Sequence, residues 1–245
     1  MSAAATQLRF LSKTALLARK DLKIEARGRD TLPPMLAFSF AVTLMLAFTL
    51  PGDTRLASPV DLPVGTVVLA DVLAGFLWVI VLFGGLIGFA RTFEIERDDG
   101  AIDALLLVPV DRSGLFFAKA LANLVFVALV EVVLVPLFTV LFDIGLGGRW
   151  PTLVLVIVLV DLGLVAVGTL FAALAAQTRS RELILPILSL PVLVPVVIAA
   201  VELTSDLFLG GGLDAVGEHG WFGILIAFDV IAVTAGALMF EFTIE

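Results

Sequence analysis

Four acids fall inside long apolar runs of this chain. Glu131 sits near the middle of residues 115–142 and Asp161 near the middle of 150–176, while Asp71 and Asp229 lie less securely within two further runs. If these runs cross a bilayer, each central acid costs about 2.5–3.5 kcal/mol on insertion scales, so it must face protein or water. Carboxyls so placed either line a polar seam used in transport or in contact between subunits, or are protonated, hydrogen-bonded packing residues. Glu131 also lies five residues before Pro136, whose ring disrupts the helix hydrogen bonding around Val132.

A second concentration of charge is the segment Arg91-Thr-Phe-Glu-Ile-Glu-Arg-Asp-Asp-Gly-Ala-Ile-Asp-Ala-Leu-Leu-Leu-Val-Pro-Val-Asp-Arg-Ser-Gly114. Ile95, Ile102, Leu105 and Leu106 share one face of a predicted helix. Glu94, Glu96, Arg97, Asp98, Asp99 and Asp103, with Gly100, occupy much of the remainder. Pro109 ends that helix, and Asp111-Arg-Ser-Gly114 reads as a turn. Such a helix docks a partner through its charged face while its apolar face rests on the membrane. The plainer alternative is a solvated loop with incidental periodicity.

Other chemistries are excluded. With Cys 0 there are no disulfides, thiolate metal sites or cysteine nucleophiles, and a single histidine, His219, leaves little room for a histidine metal centre. A phosphate-binding loop needs Gly-x4-Gly-Lys-Ser/Thr, yet none of Lys13, Lys20, Lys23 and Lys119 follows a glycine. The chain therefore has no nucleotide-binding motif, and any ATP that drives it is bound by a partner. A net charge of −8 argues against nucleic acid.

The elements that carry these residues follow from composition. Of 245 residues, 60% are hydrophobic and 16% charged, with a mean hydropathy of +1.14, far above the roughly 45–50% apolar content of a soluble domain. A helix spans the hydrocarbon with about 20 apolar residues. Six runs qualify: 33–50, 64–90, 115–142, 150–176, 183–201 and 221–240. The period-2 alternation of a membrane barrel is absent, so the expected fold is an all-α polytopic membrane protein. Pro186, Pro191 and Pro195 must bend or break the fifth span, as a functional hinge or a static kink. Gly84-x3-Gly88, and Gly168 with Ala172 and Ala176, are small-residue rows suited to close helix packing within the subunit or across a dimer. Trp78, Trp150 and Trp221 need no role beyond interface anchoring, though only the last two clearly sit at span ends.

Lysine and arginine set the orientation. Arg9, Lys13, Arg19, Lys20, Lys23, Arg27 and Arg29 precede the first span; Arg91, Arg97, Arg112 and Lys119 flank the loop after the second; Arg179 and Arg181 follow the fourth. Only Arg55 and Arg149 fall on the other side. Both termini are therefore expected in the cytoplasm. Residues 1–32 read as a cytoplasmic amphipathic segment, with a helix over 8–27 lying along the membrane interface or a charged tail that merely orients the first span. Residues 33–245 form the six-span domain. The N-terminal region does not read as a cleaved signal peptide: Asp21, Glu25 and Asp30 interrupt its basic stretch and no small-x-small site follows the apolar run.

The segment from Phe93 to Gly114, followed by Lys119-Ala-Leu-Ala-Asn123, resembles the first cytoplasmic loop of ABC-2-type exporter permeases. With Glu131-Val-Val-Leu-Val-Pro-Leu-Phe138 and the Pro-x4-Pro-x3-Pro pattern of residues 186–195, the chain more closely resembles the CcmB-like haem exporter permeases of cytochrome c maturation. Ile102-Asp103 departs from the family's Leu-Glu without changing charge. The resemblance implies a permease subunit in the plasma (inner) membrane that is not itself an enzyme. It further implies a cytoplasmic, CcmA-like P-loop ATPase docking on residues 94–103, a second permease copy, other membrane proteins of cytochrome c maturation as partners, and haem as the transported species. His219 is then either a haem ligand or a solvated loop residue. Two alternatives remain: an ABC-2-type exporter of another substrate, or an ion-coupled carrier using Glu131 and Asp161. Carriers of the second kind often repeat their broken spans in both halves, and no convincing repeat is present. The absent cysteines, the lone histidine and the lack of paired catalytic motifs oppose a membrane-embedded enzyme.

The orientation is directly testable. A reporter active only in the cytoplasm should give signal at residue 5, near 99, near 180 and after 245; signal there from a reporter active only outside would remove the six-span arrangement with both ends in.

Overall fold

The computed structural model describes residues 3–28, 30–50, 69–93, 112–176, 178, 181–213 and 220–243. Helices dominate: α1 (Ala3–Gly28), α2 (Leu32–Thr49), α3 (Leu69–Arg91), α4 (Arg112–Leu141), α5 (Trp150–Ala176), α6 (Arg181–Phe208) and α7 (Trp221–Thr243). No strand occurs among the described residues. Six helices, α2 to α7, are long and apolar enough to cross a membrane, so the chain is an all-α, multi-pass membrane protein. The bounds agree with the expected spans except at two places. Residues 64–68 lie outside the described residues, and α6 continues to Phe208 instead of ending near 201. That extension carries Glu202, Thr204, Ser205 and Asp206, which end the apolar run without ending the helix, because Thr204 and Ser205 turn inward and are buried.

α5 is the axis of the bundle. It packs against α3, α4, α6 and α7, and α3 fills the remaining centre between α2, α4 and α6. α1 packs along α4, a docking that the expectation of an interface helix or a charged tail did not include. Large apolar side chains stay on the outer surface, among them Phe48, Val140, Val132 and Ile187, as lipid contact requires.

Small residues let the helices approach. A Cβ on Gly88 would stand 2.6 Å from Met35 Sδ, and one on Gly84 would stand 3.1 Å from Ser39 Oγ, so this row of α3 receives α2. On Gly168 it would stand 2.3 Å from the buried Phe89 ring, which locks α5 onto α3. Both rows therefore serve packing within the subunit. α4 ends in a left-handed residue, Asp143 (φ 51°), with the Ile144 amide donating to the Thr139 carbonyl at 2.9 Å. α6 ends likewise at Gly210 (φ 101°), where the Gly211 amide donates to the Asp206 carbonyl at 2.8 Å.

The prolines do not break their helices. α6 is continuous through Pro186, Pro191 and Pro195, and α4 through Pro136. Trp78 corrects the expectation of an interface anchor: it is buried within α3 and its indole N–H donates to Thr204 Oγ1 at 2.9 Å. Trp150 and Trp221 do open their helices.

Gly168→Ala should destabilise the protein by about 1–3 kcal/mol through overpacking against Phe89. Gly75→Ala, with nothing within 4 Å of the added carbon, should hold or raise the thermal midpoint, since alanine favours helix by about 1 kcal/mol over glycine. Equal effects of the two in detergent unfolding would contradict the assignment.

Candidate functional site

Two polar constellations lie inside the bundle. The first lies where α1 leads into α2 and gathers the end of α3, the start of α4, the last turns of α1 and the C-terminal part of α5. Lys119 is buried two turns into α4. Its Nζ pairs with Asp21 Oδ2 on α1 at 3.1 Å, donates to the Thr92 carbonyl just beyond α3 at 3.1 Å, and lies 5.4 Å from the centre of the Phe93 ring. Thr92 Oγ1 donates to Asn123 Oδ1 at 3.0 Å, and Asn123 Nδ2 donates to Thr169 Oγ1 on α5 at 2.9 Å. One chain of contacts thus joins α1, α3, α4 and α5. Phe93 also meets Phe240 of α7, with ring centres 6.1 Å apart.

Glu25, one turn past Asp21 on α1, completes this end. Its carboxylate accepts from the Thr31 amide at 2.9 Å and the Leu32 amide at 2.7 Å. It therefore takes the place of a capping side chain at the start of α2, where Thr31 makes no side-chain cap. A small cavity of about 40 Å³, large enough for water, lies among Asp21, Glu25, Arg91, Lys119 and Asn123.

The second constellation lies deeper, between α4 and α5. Glu131 on α4 and Asp161 on α5 are near neighbours between these two helices. Both residues are buried, and no donor among the described residues reaches either Glu131 oxygen or Asp161 Oδ1. Asp229 of α7 is buried against the adjacent part of α5: its Oδ1 lies 2.7 Å from the position a Gly163 Cβ would take. Neither Asp229 oxygen has a partner among the described residues. Asp71, by contrast, stands in the first turn of α3 and accepts from Ser205 Oγ of α6.

Residues 94–111 and 214–219 fall outside the described residues, and with them Glu94, Glu96, Arg97, Asp98, Asp99, Gly100, Asp103 and His219. Among the expected intramembrane acids, Glu131 and Asp161 are brought together. Pro136, Pro191 and Pro195 lie on exposed positions, with Pro186 half-buried, so none joins either constellation. Among the described residues, no group of three or more His, Cys, Asp or Glu is arranged to hold a metal ion. Sequence reasoning passed over the role of Lys119, Asn123, Asp21 and Glu25. The one available signal was Lys119 itself, the sole lysine beyond residue 23, set in an apolar run.

Comparison with known proteins adds the family. The family described as CcmB protein matches residues 12–245. A relative from Rhodobacter capsulatus named heme exporter protein B is 31% identical over 189 residues, covering 77% of this chain and 80% of the relative. One of the same name from Paracoccus denitrificans is 30% identical over 188 residues, with 77% and 80% covered. A third, from Bradyrhizobium diazoefficiens, is 24% identical but spans 92% of this chain and 94% of its own length.

The carboxyl pair is open to a stability test. Glu131→Gln keeps the shape and supplies a donor to Asp161, so it should hold or raise the thermal midpoint. Glu131→Ala leaves Asp161 buried without a partner and should cost about 1–3 kcal/mol. An equal loss in both variants would show that an acid, not a donor–acceptor pair, is required at this position.

Proposed function

This chain belongs to the CcmB family, and from that membership we propose that it is the permease subunit of a haem exporter serving cytochrome c maturation, powered by a separate P-loop ATPase. The observation that carries the reading is a family match running almost the full length of a six-helix membrane bundle. The relatives' printed names supply the haem and the exporter. The ATPase is placed in a partner because this sequence has no phosphate-binding loop.

The end holding α1, Thr92 and Lys119 is the cytoplasmic end in this reading, because thirteen of the fifteen lysines and arginines fall on that side. α1 then lies at the cytoplasmic interface of the plasma (inner) membrane, with Lys13, Arg19 and Lys20 exposed on it. Residues 94–111 join α3 to α4 at this same end, and Glu94, Glu96, Arg97, Asp98, Asp99, Gly100 and Asp103 form the docking surface for the ATPase. Two permease chains over two ATPase chains is the expected assembly, alongside other membrane proteins of cytochrome c maturation. Glu131 and Asp161 form a polar seam along the transport route or the contact between permease copies, and Pro136, Pro186, Pro191 and Pro195 are the positions where α4 and α6 flex. Haem enters as cargo, and no resident cofactor is assigned.

The docking claim yields a defined outcome. Reversing Glu94, Glu96 and Asp98 together to lysine should abolish retention of the ATPase while leaving membrane insertion intact, since the partner surface in this reading is basic and the loop lies outside the apolar spans. Each exposed ion pair contributes only about 0–1 kcal/mol, so the triple change is the decisive one. Ala101→Pro should act as strongly by breaking the helix. Undiminished pull-down and undiminished stimulated hydrolysis in both variants would make the segment a bystander.

A further inference from the structure

We propose that the chain binds an anionic phospholipid of the cytoplasmic leaflet, with the headgroup against the outer face of α1 and one acyl chain in a groove between α1, α4, α5 and α7. This rests on the proposed reading of α1 as a helix at the cytoplasmic membrane interface. Charge is divided sharply around α1. Lys13, Arg19, Lys20, Lys23 and Arg27 are all exposed, and a helical repeat of 3.6 residues places them within about a third of the circumference. The two acids of α1, Asp21 and Glu25, turn the other way. Asp21 pairs with Lys119 at 3.1 Å, reaching Lys20 at 3.2 Å beside it, and the buried Glu25 caps α2. The outer face of α1 is thus a cationic strip on a chain whose net charge is −8. Leu16 stands within that strip and is 64% exposed, as suits a surface that meets lipid.

The groove begins beside the strip. Thr14 of α1, the neighbour of Lys13, lines it together with Phe116 and Leu121 of α4, Leu162 of α5 and Val233 of α7. Its volume is about 400 Å³, within the roughly 300–1,000 Å³ of small-molecule sites. Thr14 is the polar residue of a lining otherwise apolar, so the groove suits hydrocarbon and would strip a polar solute of its water. Phe116 forms the floor, packed so closely on α7 that a Cβ on Gly236 would stand 2.4 Å from its ring. Leu121 and Leu162 are 42% and 37% exposed, which opens the groove sideways to lipid. From Thr14 it reaches Leu162 and Val233, each near the middle of its helix. Its wall on α4, from Phe116 to Leu124, rises about 12 Å, close to the roughly 15 Å of hydrocarbon in one leaflet. A zwitterionic headgroup brings no net charge to the strip, whereas an anionic one is attracted about five-fold more for each nearby Lys or Arg. A protein partner in the cytoplasm would meet the strip but leave the groove, which opens inside the membrane.

The test uses the full chain purified in a neutral detergent. It has no cysteine of its own, so Leu121→Cys carries a single fluorophore at the open wall of the groove. The probes are phosphatidylglycerol and phosphatidylcholine with brominated acyl chains, which quench a fluorophore that they touch. Phosphatidylglycerol should reach half-maximal quenching at a concentration about ten-fold lower than phosphatidylcholine, a preference that two or three cations supply. Changing Lys13, Arg19 and Lys23 together to glutamine should abolish that preference; Lys20 is kept because it also contacts Asp21. The charge-keeping set Lys13→Arg, Arg19→Lys and Lys23→Arg should retain it, which separates loss of charge from loss of the helix. Ala120→Leu, which fills the groove, should weaken quenching by both lipids. Equal quenching of the parent by the two lipids would overturn the site. So would a preference that survives the glutamine set, because α1 would then not read the headgroup. Release of the ATPase by the glutamine set with quenching unaltered would give the strip to the protein partner and overturn the lipid equally. A preference for phosphatidylglycerol in a chain whose residue 5 reports outside would instead remove the cytoplasmic reading and leave a lipid site in the other leaflet.

Discussion

A bilayer interior offers no water, so each polar side chain of a membrane bundle must find its partner on a neighbouring helix or remain without one. That constraint organises this molecule. The backbone is satisfied within each helix, and close packing is supplied by glycine faces that admit Met35 and Phe89. What remains is a small set of polar side chains, and their pairing decides which helices move together. Lys119, Asn123 and Trp78 find partners on other helices, whereas no donor among the described residues reaches either oxygen of Glu131 or Asp229, or Asp161 Oδ1.

The helices were legible in the sequence because the signal is local: about twenty apolar residues are needed, and each window declares itself. The apolar rule overlooked the last turns of α6, where Thr204 and Ser205 are polar in sequence but paired with Trp78 and Asp71 in space. The glycine rows were readable as packing surfaces, but not which helix each receives. Gly88 takes α2 and Gly168 takes α3, and spacing alone does not choose a neighbour.

The candidate site was legible in part for the same reason. Glu131 and Asp161 stood out as acids in apolar runs, and each could be flagged from its own span. That they face one another depends on α4 and α5 being adjacent and on their relative rotation, which no single window contains. Asp21 and Glu25 were hidden more thoroughly. On an amphipathic helix of mixed charge they look like solvated residues, and only the docking of α1 against α4 turns them into a counter-ion and a helix cap. Residues 94–111 and His219 lie outside the described residues, so the reading of that loop rests on its sequence and on what holds its two ends.

α3 ties the two halves of the molecule together. At its C-terminal end, Thr92 is held by Lys119 and Asn123 of α4. Near its start, Asp71 and Trp78 are hydrogen-bonded to Ser205 and Thr204 of α6. A helix fixed at both ends to different partners behaves as a rod, because its own hydrogen bonds resist extension and the contacts at its ends resist rotation. Thr92 and the last turns of α6 are thus joined through one helix, across the thickness of the bundle. α6 is the helix with three internal prolines, each of which removes an intrahelical hydrogen bond. These prolines lie on the side of α6 away from its pinned end, so the helix is anchored where α3 holds it and has fewest internal bonds elsewhere. The unpartnered carboxyls of Glu131 and Asp161 lie between α4 and α5, which flank this rod. Like Asp229 on α7, this pair keeps buried carboxyl oxygens that no donor among the described residues reaches.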